Sequence, residues 1–376
     1  MMLNKRVIFP SLFFFLAALL ILFITEHGVY LFIAKLVLLV SLIILVTELI
    51  LRKVSGVSVG NLLLLGVTML LVLVMAEVFI RILFDDITTT DDNASYFARK
   101  WKETSKPSVN SLGFREREIS MQKPADVYRI AVVGDSLTYG QGIAEQDRFS
   151  RMIERTLNGG KISYQVYNFG IPGAETIDHI RFLEDVFKID PDFILLQWFT
   201  NDVEGPDKSA RQSYYRLIPS DYLSGILQKN SALFYLINRQ WNQLQSQIGL
   251  VAPFRDSMNG RFGDIKSENS QRAIHELNEF ITLVKDKNIP LGIVMFPNLV
   301  LTEGGVEKYP FDFLFDRVID ACHKNDIKCI DLRPAFAKEN PTELWVNRFD
   351  PHPSVFANKI AAESILETFG GQWELW

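Results

Sequence analysis

The chain has 376 residues, a formal net charge of −5 and no long run of lysine and arginine, which excludes the electrostatic footprint of a nucleic-acid-binding protein. Its only cysteines, Cys322 and Cys329, are too few for a disulfide framework and belong to no zinc-binding pattern, although a single bridge between them stays open. The length exceeds one typical domain, and the apolar residues crowd into the first quarter, so we expect a membrane part followed by a soluble part.

Three apolar stretches at the start of the chain have the length of about 20 residues that a membrane-crossing helix needs. They run from about Val7 to Thr25, from Val29 to Leu51 and from Asn61 to Phe84. Because the hydrophobicity resumes twice after the first stretch, the pattern is not that of a cleaved signal peptide. Residues 1–84 are therefore predicted to be an anchor of three transmembrane helices, with nothing removed.

Basic residues beside these stretches predict the orientation of the anchor. Lys5 and Arg6 precede the first stretch, and Arg52 and Lys53 follow the second. The positive-inside rule places both pairs on the cytoplasmic side. The N-terminus is then cytoplasmic, and the odd number of crossings puts everything after the third helix outside the cytoplasm.

Charged residues inside the stretches leave the role of the helices open. Glu77 and Arg81 are four residues apart and can pair on one helix face, while Lys35 and Glu48 lie near the ends of the second stretch, where they can reach the interface. One interpretation is an anchor in the lipid bilayer with interfacial charges. The alternative is a bundle that docks an envelope protein partner or a lipid-linked substrate.

The remainder of the chain has the pattern of an α/β domain. A polar connector, residues 85–126, precedes a domain over residues 127–376, in which apolar β-rich runs alternate with helical stretches. This alternation is typical of a three-layer α/β fold with a parallel sheet. The predicted strands are Tyr128–Asp135, Ile162–Phe169, Asp192–Phe199, Leu291–Pro297 and Lys328–Leu332. The predicted helices lie near Arg148–Leu157, Glu175–Phe187, Ser270–Lys287, Phe311–Lys324 and Ser354–Phe369.

One segment, at about residues 204–265, fits no strand of this pattern and is rich in aromatic residues, glutamine and asparagine. It is interpreted as an insertion that emerges after the carboxyl end of a strand. Long segments of this kind are often covers or walls of an active site. Helical padding without a role in binding is the alternative.

Five residues whose side-chain or backbone groups could take part in a reaction follow predicted strands or precede the last helix. In open α/β sheets the ligand binds beyond the carboxyl ends of the strands, so these positions indicate a site. Ser136 in "GDSLTYG" follows the first strand, Gly170 in "YNFGIPG" ends the second, and Asn201 in "WFTND" follows the third. Asp350 and His352 in "FDPHPS" supply a carboxylate and a base. A hydroxyl, two possible oxyanion donors and a base together point to acyl transfer through a serine.

These motifs resemble, in their order along the chain, the SGNH/GDSL hydrolases, a superfamily of esterases, lipases, deacetylases and some acyltransferases. The resemblance covers about Val127 to the C-terminus, and it implies a three-layer α/β/α, flavodoxin-like SGNH hydrolase domain. The upstream "NSLGFRERE", Asn110–Glu118, looks like the lead-in of the membrane-anchored branch of this superfamily.

The resemblance also implies a role for each residue. Ser136 would be the nucleophile, His352 the general base and Asp350 the residue that orients the imidazole. The oxyanion hole would consist of the backbone N–H groups of Ser136 and Gly170 and the side-chain amide of Asn201. The sequence departs from the family pattern in two places: Phe199 replaces the usual glycine of the third motif, and the acid lies two residues before His352, not three.

The other acidic residues and histidines near the motifs receive structural interpretations. Asp135 and Asp202 are expected to hold their loops by accepting hydrogen bonds from backbone N–H groups. The remaining histidines show no ligand spacing and are predicted to be surface or packing residues: His27, His179, His275 and His323. No phosphate-binding or dinucleotide fingerprint occurs in a confirming context, so neither a metal nor a cofactor is expected.

The sequence thus predicts a membrane-anchored serine ester hydrolase that acts outside the cytoplasm through an acyl-serine intermediate. Its substrate would be an acylated glycan, a lipid or a small ester. An O-acyltransferase that modifies a cell-surface glycan is an alternative, because its catalytic residues would be the same. A non-catalytic module that binds glycan or assembles with an envelope complex is the other alternative.

Overall fold

The computed structural model describes residues 59–160, 162–204, 214–302 and 306–373. Contacts divide the chain into two compact units. The first comprises Met1–Asp86 and Ser231–Leu233, and the second comprises Ile87–Asn230 and Phe234–Trp376. The site residues predicted from sequence all belong to the second unit.

The described part of the first unit is built on helix α1, Val59–Leu83. Within it, Leu65–Leu83 has a mean hydropathy of 2.2 and is long and apolar enough to cross a membrane, by length and composition alone. Glu77 pairs with Arg81 at 2.7 Å, as the spacing predicted, and also accepts a hydrogen bond of 2.7 Å from the Ser231 hydroxyl. The first two predicted spans lie outside the described residues.

The second unit contains a parallel five-stranded sheet, which confirms the predicted fold class. The strands are β1 Val127–Gly134, β2 Ser163–Gly170, β3 Phe193–Trp198, β4 Leu291–Met295 and β5 Lys328–Asp331. Each lies within two residues of its predicted bounds, because central strands of a parallel sheet are buried on both faces and appear in sequence as continuous apolar runs. The strand order is β2-β1-β3-β4-β5, a flavodoxin-like order whose switch point lies between β1 and β3.

Helices cover both faces of this sheet. In chain order the helices of the second unit begin with α2 Tyr96–Ser105, α3 Ser136–Tyr139, α4 Phe149–Leu157 and α5 Thr176–Lys188. They continue with α6 Asp221–Asn230, α7 Ala232–Gln247, α8 Phe254–Phe262, α9 Glu268–Lys285, α10 Asp312–Lys324, α11 Arg333–Phe336 and α12 Val355–Trp373. Two separate apolar clusters show the layers: α5, α9 and α10 pack on one face, and α4 and α12 on the other.

Successive residues of β1 enter opposite clusters, since side chains of a strand alternate between its faces. Ala131 and Val133 pack with α5 and α9, while Ile130 and Val132 pack with α4 and α12. A two-stranded antiparallel ribbon, β6 Trp345–Asn347 and β7 Asp350–Pro353, precedes α12. It carries the predicted acid and base.

In the described residues of the predicted insertion, all regular secondary structure is helical. Helices α6, α7 and α8 fall within it, and no strand occurs in the described residues between β3 and β4. Its surface includes exposed apolar side chains such as Tyr222 and Ile248, 79% and 58% exposed.

Both cysteines are free thiols. Cys322 is buried on α10, and Cys329 is half-buried on β5. A hydrogen bond with Cys329, together with burial, raises the pKa of the Cys322 thiol. The bridge left open by the sequence is therefore absent from this pair.

A buried cluster of charges ties the connector to the α/β domain. The Glu116 carboxylate is fully buried and pairs with Arg151 and, at 3.6 Å, with the equally buried Arg148. The same carboxylate accepts a hydrogen bond of 3.0 Å from the backbone N–H of Asn168 on β2. Both arginines also pair with the partly exposed Glu145, at 3.2 and 3.0 Å, and Arg151 pairs with Glu154 at 2.5 Å. Glu116 is thus the fully buried member of a group of three carboxylates that neutralise two buried guanidinium groups.

We expect Glu116→Gln to lower the free energy of unfolding by about 1 to 3 kcal/mol, because it removes the fully buried carboxylate and leaves the two arginines with Glu145 and Glu154 alone. Urea denaturation of the full chain in detergent measures the change. Glu363→Gln is the matched control, since Glu363 is exposed and lies 3.8 Å from its partner Lys359. Equal stability of Glu116→Gln and the control would show that the cluster is not a structural requirement.

Candidate active site

The site lies at the switch point of the sheet, beyond the carboxyl ends of β1 and β3. Gly134, the last residue of β1, is in register with Gly170, the last residue of β2. Ser136 begins α3 two residues later, and Asn201 lies three residues after the end of β3. Because parallel strands end at one edge, residues more than thirty positions apart along the chain are gathered there.

Three of the predicted residues are joined by direct hydrogen bonds. The Ser136 hydroxyl lies 2.8 Å from His352 Nε2, and His352 Nδ1 is hydrogen-bonded to Asp350 Oδ1. The same carboxylate oxygen accepts a hydrogen bond of 3.0 Å from the His352 backbone N–H, which fixes both residues within one turn. Asp350 is fully buried and Ser136 is only 8% exposed. The spacing of two residues between acid and base thus supports the same chain of contacts as the usual spacing of three.

The turn that carries Ser136 is held by a polar side chain from β3. Gln197 Oε1 accepts hydrogen bonds from the Asp135 backbone N–H at 3.1 Å and from the Thr138 hydroxyl at 2.9 Å. Asp135 in turn accepts a hydrogen bond of 2.9 Å from the Leu137 N–H, the capping role expected of it. A Cβ at Gly134 would come within 2.4 Å of Gln197 Oε1, so only glycine fits between the strand and this anchor.

Gly170 is required by packing, and its N–H is engaged. A Cβ at this position would lie 2.3 Å from the backbone nitrogen of Tyr139. The Gly170 N–H donates to Asn168 Oδ1 at 3.0 Å, while the Asn168 amide donates to the Thr138 carbonyl at 2.6 Å. In this state the Gly170 N–H can serve an oxyanion only by sharing its hydrogen bond with Asn168 or by releasing it.

The carbonyl oxygen of the Asn201 side chain, in contrast, has no hydrogen-bond partner in the described part of the chain. This oxygen, Oδ1, is buried. The adjacent Asp202 holds the turn by accepting hydrogen bonds from the Phe199 N–H at 2.7 Å and from the Thr176 hydroxyl at 3.1 Å. His179 lies 3.2 Å from Asp202 and is fully buried, so it is a packing residue of the site's floor.

Burial and neighbouring carboxylates set the charge of the site. Burial lowers the pKa of His352, but Asp350, followed by Asp135 and Asp91, outweighs it, so the net pKa is raised above its ordinary value. Burial and the nearby Asp202 raise the pKa of Asp135 to about 6. Since Asp350 faces Nδ1, the unprotonated Nε2 of the neutral imidazole is directed at the Ser136 hydroxyl and can accept its proton.

Two charged residues, one of them in the insertion, contact the start of the β6–β7 ribbon's second strand. Arg239 on α7 pairs with Asp91 at 3.1 Å and donates to the Phe349 carbonyl at 3.4 Å. The Asp91 backbone N–H donates to the same carbonyl at 3.3 Å. Phe349 immediately precedes Asp350, so these contacts hold the start of β7.

Sequence reasoning missed several of these supporting residues. Gln197 could have been found, because it is the one polar residue in an otherwise apolar strand, and Asn168 is likewise a polar residue among apolar and aromatic neighbours at the end of β2. Asp91 and Arg239 carry no such signal, since they lie in unrelated segments that only the folded chain brings together. His275 and His323 are exposed, as predicted, and His27 lies outside the described residues.

Comparison with protein families gives a match to the GDSL-like lipase/acylhydrolase family over residues 132–360, more than half of the chain. The matched region runs from β1 into α12 and contains every predicted site residue. Comparison with curated proteins gives no significant match.

Solved structures with a similar fold include esterases. The acetylxylan esterase Axe2 from Geobacillus stearothermophilus is 16% identical, with a TM-score of 0.42, over 65% of this chain and 94% of that one. The acetyl xylan esterase AlAXEase is 15% identical, with a TM-score of 0.40, over 64% and 98%. A lipolytic protein of the G-D-S-L family from Veillonella parvula is 14% identical, with a TM-score of 0.40, over 65% and 98%.

The family match covers more than half of the chain, and the sheet brings the sequence motifs in the matched region together at one edge. The chain belongs to the GDSL-like lipase/acylhydrolase family and is a serine hydrolase that acts on ester bonds.

Proposed function

We propose that Ser136 is the nucleophile of this hydrolase, His352 its general base and Asp350 the residue that orients the imidazole. The observation that carries the proposal is the hydrogen bond of 2.8 Å between the Ser136 hydroxyl and His352 Nε2, with Asp350 on the opposite ring nitrogen. A free serine hydroxyl is a weak nucleophile at neutral pH, and a base within hydrogen-bond reach is what activates it.

The reaction would proceed through an acyl-serine intermediate. The Ser136 oxygen attacks the ester carbonyl while His352 Nε2 takes the hydroxyl proton, and the same nitrogen then returns the proton to the leaving alcohol. Water, deprotonated by His352, attacks the acyl group and releases the carboxylic acid together with free Ser136. An alcohol acceptor in place of water would turn the same residues to acyl transfer.

The tetrahedral intermediates need donors for their oxyanion. The donors would be the side-chain N–H of Asn201, whose Oδ1 is buried without a partner among the described residues, and the Ser136 N–H at the start of α3. Such a donor contributes about 3 to 4 kcal/mol to the stabilisation of the transition state. The Gly170 N–H joins them once its bond to Asn168 is shared or opened.

We also propose that the chain is anchored in a membrane, with the hydrolase domain outside the cytoplasm. Support comes from the apolar length of α1 and from the two apolar stretches that precede it in the sequence. The lysine and arginine residues before the first stretch and after the second favour a cytoplasmic N-terminus.

Ser136→Ala is expected to abolish covalent labelling by a fluorophosphonate probe, because the probe's phosphorus bonds to the activated serine oxygen. Turnover of p-nitrophenyl acetate should fall by about 10⁴-fold or more. Gel fluorescence and initial rates measure the two effects. Ser120→Ala, which changes an exposed serine, is the control. Undiminished labelling of Ser136→Ala would refute the assignment of the nucleophile.

The pH dependence follows from the raised pKa of His352. A general base acts when neutral, so kcat/KM should rise with pH, with the midpoint of its acidic limb above the ordinary histidine value of about 6.5. Asp350→Asn removes the main charge that raises this pKa, so the midpoint in an NMR titration of the imidazole should move to lower pH. Asp185→Asn on α5 serves as the comparison. An unmoved midpoint would contradict the role of Asp350.

Membrane orientation can be tested with the full chain expressed in bacterial cells. Trypsin added to spheroplasts should degrade the hydrolase domain without lysis, because that domain is expected on the outer side. Immunoblotting with a tag at the C-terminus reports the result, and a cytoplasmic marker protein is the control. A domain that is protected until the cells are lysed would reverse the proposed orientation.

A further inference from the structure

A large cavity lies in the second unit, between the start of that unit and the insertion. Its volume is about 650 Å³, within the range of roughly 300 to 1,000 Å³ that is usual for ligand sites. Asp91 and Asp92 line one side, and Asn238, Asn242 and Gln243 of α7 line the other. A second cavity of about 510 Å³ shares Asp92, Asn238 and Asn242 with it, so the two adjoin.

The cavity borders the proposed catalytic residues. Two of its lining residues, Asp91 and Arg239, both hydrogen-bond to the carbonyl of Phe349, the residue before Asp350. The Asp91 carboxylate is also near enough to contribute to the raised pKa of His352. A molecule in the cavity would therefore contact residues that hold the start of β7, the strand that carries Asp350 and His352.

The lining is built for hydrogen bonding. Gln228 donates to Asp92 at 2.7 Å, and Asn238 donates to Gln228 at 3.4 Å, which leaves a row of oriented amide groups. The side-chain amides of Asn242 and Gln243 have no partner among the described residues. The other lining residues include three aromatic side chains, Tyr214, Tyr235 and Phe254. A long acyl chain here would strip water from amides without replacing their hydrogen bonds, at a cost in free energy.

The charges of the lining argue against an anionic occupant. Three carboxylates, those of Asp91, Asp92 and Glu204, face one guanidinium, that of Arg239. Arg239 is already paired with Asp91. Phosphate or carboxylate groups would thus meet more negative than positive charge, whereas neutral hydroxyl groups can both donate to the carboxylates and accept from the amides.

We propose that this cavity is the binding site for the alcohol part of the substrate, a neutral oligosaccharide whose ester is presented to Ser136. The adjoining second cavity would accommodate further sugar residues along the α6–α7 face. The inference rests on the proposed function, since the ester must reach Ser136. It adds the substrate class and assigns the insertion a role as the glycan-binding wall.

The test is a comparison of substrates in the full-length protein. The double variant Asn242→Ala/Gln243→Ala should lower the ratio of kcat/KM for acetylated xylo-oligosaccharides to kcat/KM for p-nitrophenyl acetate by about tenfold, chiefly through a higher KM, because two hydrogen bonds to sugar hydroxyls are lost. Gln247→Ala, which changes an exposed amide of the same helix outside the cavity, should leave the ratio at the wild-type value.

Calorimetry separates this inference from the proposed catalytic roles. Ser136→Ala should bind an unacetylated xylo-oligosaccharide as the wild type does, and the addition of the two alanine substitutions should weaken that binding about tenfold. If Ser136→Ala retains turnover and the xylo-oligosaccharide still binds, the assignment of Ser136 as the nucleophile is wrong and the glycan site is supported. Absence of binding, an unchanged substrate ratio, or a decanoyl ester that competes more strongly than the oligosaccharide would overturn the glycan site.

Discussion

One hydrogen bond, between the Ser136 hydroxyl and His352 Nε2, joins parts of the chain that are 216 residues apart. It can form only if the turn after β1 and the ribbon before α12 meet at the same edge of the sheet. The β6–β7 ribbon positions His352 for this contact, because Asp350 hydrogen-bonds to both the ring and the backbone N–H of His352. The positions of the helices and loops around the site can be understood as support for this contact.

Buried polar side chains provide most of that support. Gln197 holds the turn of Ser136, Asn168 holds the chain segments around Gly170, and Asp202 holds the turn of Asn201. Each is fully or almost fully buried, where hydrogen bonds are stronger than in water, so the contacts it makes hold the adjoining turn firmly. Glu116 performs the same task further out, where it draws the connector and two arginines onto β2.

In our proposal, the sheet with its loops and the insertion have different roles in the enzyme. The sheet and its loops place the groups that act on the ester, whereas the segment after α1 and the helices of the insertion form the polar cavity beside them. Asp91 and Arg239 connect the two, since they contact both the cavity and the residue before Asp350. The sheet would thus position the catalytic residues, and the insertion would determine which alcohol part of the substrate binds.

The sequence by itself determined the parallel α/β sheet and the residues to inspect, because buried strands are continuous apolar runs and functional groups follow their carboxyl ends. It indicated Ser136, Asp350 and His352 through motifs whose order along the chain resembles that of a known superfamily. Only the tertiary structure decided that the Gly170 N–H is engaged by Asn168, while the Asn201 Oδ1 is buried without a partner among the described residues. It also decided that Asp91 meets Arg239, a contact across 148 positions. Such contacts depend on how distant segments pack, and no periodicity or spacing in the chain encodes them.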